Sequence, residues 1–205
     1  MLLPVQLATT FSFPSSTAAF APLAVGFFGL GTGYLIYGPQ ELLGFPKRNK
    51  AVDVATGIWG IWMPGFLQFL TGLYLFVGLV WFGTFTARPL YMAALAFTAY
   101  GVHWWAMGMS RALGGDPRPN ALMSIAFTAL SALGVVVFFH HSADPPVGGL
   151  FIGLTCVYVC EFFASLGSGL GTRALGFFHL GTGVWLMYLT WATALNFAAG
   201  YHLTV

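Results

Sequence analysis

Residues 115–120 read Gly115-Asp116-Pro117-Arg118-Pro119-Asn120, and residues 121–141 after them read ALMSIAFTALSALGVVVFFHH. The first stretch is a polar turn with a basic side chain; the second is an uncharged, mostly apolar run. A helix that crosses a bilayer needs about 20 predominantly apolar residues, so turn and run together form the unit of a membrane-embedded chain. That unit recurs in both directions along the sequence. Apolar segments fall at residues 20–38, 51–81, 90–112, 121–141, 148–170 and 174–198, and they leave no stretch for a separate soluble domain. Charged residues make up 6% of the chain and hydrophobic ones 58%, whereas a soluble domain is about one quarter charged. The expected fold is all-α: a single transmembrane domain over residues 1–205, with six helices in three hairpins around a central pore.

The basic residues orient it. Lys47, Arg48, Lys50, Arg111, Arg118 and Arg173 occupy alternate gaps between apolar segments, and Arg88 alone lies in the complementary set. The excess of Lys and Arg on cytoplasmic loops is expected to place those turns on the cytoplasmic side of a cell membrane and both termini outside. The turns are expected at Pro46-Lys47-Arg48-Asn49-Lys50, at Gly115–Asn120 and at Gly171-Thr172-Arg173, with Phe82–Pro89 and Ser142–Val147 as links between hairpins. A net charge of +2 with no basic run excludes a nucleic-acid partner. Cys156 and Cys160, one helical turn apart, read as small buried residues. Residues 1–21 lack a basic start, so Ala19-Phe20-Ala21 is not read as a cleavage site.

Polar residues inside apolar segments carry most of the functional information, because lipid offers them no partner. Leu154, Tyr158, Glu161, Ser165 and Ser168 share one helical face, as do Tyr100, His103, Met107 and Arg111. Asp53, Gly57, Gly60, Pro64 and Gln68 form a third stripe, Asn120, Ser124, Thr128 and Ser131 a fourth, and His179, Thr182, Thr193 and Asn196 a looser fifth. Each alone would be interhelical glue; five converging on one interior indicate a hydrated path. Glu161 and His103, the deep titratable groups, are the candidates for proton linkage or gating. Pro64 is expected to kink or break the second segment. Residues 26–33 (GFFGLGTG) recur as residues 176–183 (GFFHLGTG). This repeat reads first as a small-residue packing stripe and alternatively as a related pair of pore helices. No phosphate loop, nucleophile–base motif or Cys/His cluster is present, so no enzymatic activity, cofactor or metal is expected.

Several stretches resemble the acetate uptake transporter family, which includes bacterial acetate/succinate permeases. Ala21-Pro22-Leu23 is similar to part of that family's first-helix motif, although the preceding Asn-Pro is absent. Phe97-Thr98-Ala99-Tyr100-Gly101 resembles its third-helix Phe-Thr-x-Tyr-Gly, and Pro119-Asn120-Ala121 its fourth-helix start; Gly57-Ile58 and Gln68 match the second loosely. The resemblance implies six-helix protomers assembled as a homohexamer, each with a pore narrowed by Phe28, Tyr100 and Leu154. The spacing from these three positions to the basic turns, 20, 18 and 19 residues, agrees with a ring at one depth (48−28, 118−100, 173−154).

The expected function is a channel or proton-linked transporter for a small monocarboxylate such as acetate, with succinate a further candidate. Gln68, Thr98 and Asn196 would line the path beside the constriction. The alternate-loop charge pattern and Asp116-Pro117-Arg118-Pro119 also resemble the urea/short-amide channels, which makes such a solute the second reading. A non-transporting membrane subunit or redox protein is the third.

Overall fold

The computed structural model describes residues 22–142 and 144–205; Ala19-Phe20-Ala21 lies outside them. Among the described residues there are six helices and no strand: α1 (Leu23–Leu43), α2 (Lys50–Trp81), α3 (Pro89–Leu113), α4 (Arg118–His141), α5 (Pro145–Ser165) and α6 (Gly169–Ala199). Three of them, α2, α4 and α5, are long and apolar enough to cross a bilayer, with mean hydropathy 1.6, 2.3 and 1.8. The other three have 21, 25 and 31 residues, and at about 1.5 Å per residue each covers about 30 Å of hydrocarbon. Glycine, tyrosine and histidine on their inner faces lower their hydropathy.

Local chemistry sets the ends. Gly44 and Gly114 close α1 and α3 in the left-handed conformation, at φ 69° and 72°. The Asn49 side chain caps α2 by accepting from Val52 N at 3.0 Å, and Pro89, Pro119 and Pro145 sit in first turns, where no amide hydrogen is needed.

Two boundaries differ from expectation. α1 continues past Pro39 to Leu43, which adds Gln40 and Glu41 to the helix. The third turn falls at Leu166-Gly167-Ser168 rather than at residues 171–173. Gly167, at φ 90°, ends α5, and Ser168 caps α6 by accepting from Gly171 N at 3.0 Å. Arg173 therefore belongs to the start of α6. Pro64 neither breaks nor ends α2: the chain widens into a π-turn over Ile61–Phe66 that absorbs the missing amide, and the ring packs where Gly33 of α1 lacks a side chain.

The helices joined by basic turns are not the tightest pairs. α1 packs along α6, α2 along α3, and α4 along α5, whereas α3 and α4 touch little despite their short connection. Glycine makes the close seams. On the antiparallel α1–α6 pair Gly31 lies opposite Gly183 and Gly38 opposite Gly176, where an added Cβ at Gly176 would stand 2.8 Å from Gly38 O. The internal repeat thus serves packing. Its phenylalanines also face different ways, Phe27 being buried and Phe177 exposed, which argues against two equivalent pore helices.

Candidate functional site

α1, α3 and α5 run in the same direction, and each turns one stripe inward. On α1 the stripe is Phe27, Leu30, Tyr34, Tyr37 and Glu41; on α3 it is Ala93, Phe97, Tyr100, Trp104, Met107 and Arg111; on α5 it is Leu150, Leu154, Tyr158, Glu161 and Ser165. These spacings of three and four keep one face of a helix in view along its length. Each stripe begins apolar, passes through aromatic residues and ends polar.

At the apolar end the N-terminal halves of the three helices enclose a cavity of about 220 Å³. Phe27, Leu30, Phe97, Tyr100, Phe151 and Leu154 form much of its wall, and at about 30 Å³ per water it has room for a small organic acid. Gln68 of α2 is in the same wall, fully buried, and neither atom of its amide has a hydrogen-bond partner in the protein.

An aromatic septum lies deeper. Tyr100 stacks on Tyr158 with ring centroids 5.6 Å apart, and Phe127 closes on both at 5.6 and 5.1 Å. Ser131 donates to Phe127 O at 2.7 Å, so Tyr100 OH, 2.9 Å from Ser131 Oγ, is the donor in that pair. Tyr34 and Tyr37 meet Trp104 at 5.9 and 4.9 Å. Tyr34 OH and Trp104 Nε1, both buried, lack protein partners.

A second cavity, also about 220 Å³, opens at the end of the basic turns and is polar. Arg111 organises it: Nε donates to Asp53 Oδ1 at 3.1 Å, Nη2 donates to Gln40 Oε1, and the guanidinium lies 4.6 Å from the Tyr37 ring centroid. Arg48 shares the Asp53 carboxylate at 2.9 Å. Glu161 accepts from Ser165 Oγ at 3.2 Å. Glu41 pairs with His179 of α6, Oε2 to Nδ1 2.5 Å.

Tyr100, Leu154, Gln68 and Glu161 therefore face the interior. Phe28 does not: it is 45% exposed on the outer surface, against 4% for Phe27. Adjacent residues on a helix point about 100° apart, and the inward register of α1 is set by Tyr34 and Tyr37. Leu30 and Tyr100 each lie thirteen residues before the end of their helix, and Leu154 lies eleven before the end of its own (43−30, 113−100, 165−154). Leu30 is the α1 residue at a comparable distance from its helix end that lines the same cavity as the other two. Thr98 is also outside the cavity wall. It donates to Ala94 O at 2.8 Å and packs against Gly72, beside an outer groove. Asn196 holds the C-terminal tail, donating to Leu203 O and accepting from Leu203 N, both at 2.8 Å. His103 is buried with Nδ1 3.4 Å from Tyr158 OH, on the side of α3 that lines the outer groove.

The sequence reading missed Leu30, Tyr34, Trp104 and Glu41. The 3-4-3 spacing of Phe27, Leu30, Tyr34 and Tyr37 was the available signal on α1, and ending the segment at Gly38-Pro39 left out Glu41, the next position of the stripe.

The fold is similar to that in the structure of the bacterial acetate channel SatP. The TM-score is 0.71 and the identity 18%, over 91% of this chain and 97% of that one. At this identity the likeness is one of fold. No protein-family model and no curated protein sequence matches the chain.

Proposed function

We propose that the chain is a membrane channel or proton-linked transporter for small monocarboxylates such as acetate. The observation that carries the proposal is Gln68. A fully buried amide with both atoms unpaired costs free energy, and this one lies in the wall of a cavity sized for a small acid. Its N–H groups suit a carboxyl oxygen, and its Oε1 suits the O–H of a protonated acid. The fold shared with an acetate channel supports the same reading.

Leu30, Tyr100 and Leu154 form the constriction in this scheme. An apolar narrowing admits a partly dehydrated solute and resists bulk water and ions. Arg111 in the polar vestibule attracts the carboxylate at that mouth. Glu161 and His103 are the proton-linked candidates that the sequence singled out. Glu161 faces the vestibule, and His103 reaches the septum through Tyr158.

A short amide is the second reading, favoured by the same residue. A carboxamide side chain offers a primary amide the donor–acceptor pair that it offers a carboxylic acid.

The test is labelled-acetate uptake into proteoliposomes, measured against protein-free liposomes, with urea as competitor. Gln68→Leu is expected to reduce acetate flux by about tenfold, the ratio that about 1.4 kcal/mol represents. Unchanged flux would remove Gln68 from the pathway. Urea uptake that acetate fails to slow would favour the amide reading.

A further inference from the structure

Glu41 and His179 meet from α1 and α6 at the floor of the polar vestibule. The carboxylate side chain is 15% exposed and the imidazole 2%, so water in the vestibule reaches the pair through Glu41. On its other side the imidazole touches the septum: its centroid lies 4.4 Å from that of Tyr34 and 6.4 Å from that of Trp104. These are two of the septum rings whose polar atoms have no protein partner. The pair thus stands between the vestibule and the narrow part of the path.

The septum holds no fixed cation among the described residues. The polar groups around it among the described residues are Tyr34, Tyr100, Tyr158, His103, Trp104, Ser131 and His179, with Gln68 in the wall of the adjoining apolar cavity. Arg111 is engaged by Asp53, Gln40 and Tyr37 on the vestibule side. A carboxylate that reaches Gln68 without a counter-charge faces a large desolvation penalty.

We infer that the Glu41–His179 pair is the proton-binding site that supplies this counter-charge, an assignment that rests on the transport reading above. In the ion-paired form the two charges cancel. One proton moving from vestibule water to a Glu41 carboxylate oxygen leaves a neutral acid beside an imidazolium, net +1, against the Tyr34 ring. The solute anion at Gln68 balances that charge, so anion and proton cross together as a neutral load. When the anion leaves, the Glu41 O–H returns its proton to water and the ion pair re-forms.

The groups that face the pair are few. Tyr34 and Tyr37 come from α1, His103 and Arg111 from α3, and Glu161 from α5; Asp53 of α2 and Arg48 stand beyond Arg111. Arg111 already shares Asp53 with Arg48. Glu161 has no basic partner within ion-pair distance among the described residues.

The experiment compares two modes of acetate movement in one proteoliposome preparation: uptake driven by an imposed pH gradient, and exchange of labelled for unlabelled acetate at equal pH. Glu41→Gln mimics the protonated carboxyl and cannot release its proton. It is expected to lose gradient-driven uptake by about tenfold or more while exchange stays within about threefold of the parent. His179→Asn leaves an uncompensated carboxylate and is expected to lose both. The exchanged pair Glu41→His/His179→Glu is expected to restore gradient-driven uptake, which also controls for folding. Gradient-driven uptake that survives Glu41→Gln overturns the assignment and places the proton on the solute. Parallel loss of both modes in Glu41→Gln, rescued by the exchanged pair, overturns it too and makes the pair a structural clamp on the α1–α6 seam. Absence of acetate uptake in the unsubstituted protein would instead defeat the transport reading itself.

Discussion

Phe27 and Phe28 are neighbours in sequence with opposite surroundings. Phe27 packs against Phe97 with centroids 5.6 Å apart and lines the apolar cavity, while Phe28 lies on the outer surface. Removing a buried phenylalanine from a close-packed interior costs about 3–5 kcal/mol, part of it for the space left behind. Phe27→Ala should therefore lower the melting temperature in detergent and admit larger acids, read as a higher butyrate-to-acetate flux ratio. Phe28→Ala should leave both within error, with a stability change of about 0.5 kcal/mol or less. A selectivity change in Phe28→Ala alone would reinstate it at the constriction. Sequence spacing placed Tyr100, Leu154, Gln68 and Glu161 inward correctly because polar or aromatic neighbours at three- and four-residue intervals mark one face. For Phe27 and Phe28 that marking came from Tyr34 and Tyr37, about two and three turns on. The ring in that reading was aligned on turn distances and the resemblance, which chose the outward-facing Phe28 over the inward-facing Phe27 and Leu30.

At the scale of the helix, α1 shows what a proline rule hides. Gly38-Pro39 suggests a helix end, yet α1 continues to Leu43 because Gly38 lets α6 approach closely and the following turn packs on that helix. That extra turn carries Gln40, which orients Arg111, and Glu41, which pairs with His179. No local pattern reveals it, since the stabilising contacts come from a helix more than 130 residues away (|i−j| = 138 for the Glu41–His179 pair). Membrane helices gain little hydrophobic attraction for one another, so backbone-close packing at small residues carries the seam. Gly176→Val should separate α1 from α6, costing about 1–3 kcal/mol by overpacking. It should also displace His179, three residues on, with loss of pH-gradient-driven uptake. Gly181→Ala in the same repeat meets nothing within 4 Å and should be neutral or slightly stabilising, by up to about 1 kcal/mol through helix propensity. Melting curves of the two variants in one detergent decide between seam and composition as the source of stability.

For the whole molecule, the three inward stripes give the path a polarity that the surface charges share. Six of the seven cations, Lys47, Arg48, Lys50, Arg111, Arg118 and Arg173, lie at the end with the polar vestibule, and Arg88 lies beside the apolar cavity with Asp144. Asp116 offsets one of the six. Hydrogen bonds from the Arg118 side chain hold its carboxyl down at about 2, so it stays ionised at any physiological pH. From the bias of Lys and Arg toward the cytoplasm we predict that the vestibule, the Glu41–His179 pair and the two basic turns, at Lys47–Lys50 and Asp116–Arg118, face inward, with the C-terminal tail outside. Accessibility of single cysteines tests this directly, in a background with Cys156→Ala and Cys160→Ala. Lys47→Cys, on an exposed turn, should resist a membrane-impermeant thiol reagent added to intact cells and react after permeabilisation. Thr204→Cys, in the exposed tail that Tyr188 and Asn196 hold, should react in intact cells. The opposite pattern would place the vestibule outside, and an inward pH gradient would then load the Glu41–His179 pair from the external face. Orientation thus decides from which side of the membrane the proton is drawn, and the two cysteines read it out without reference to transport.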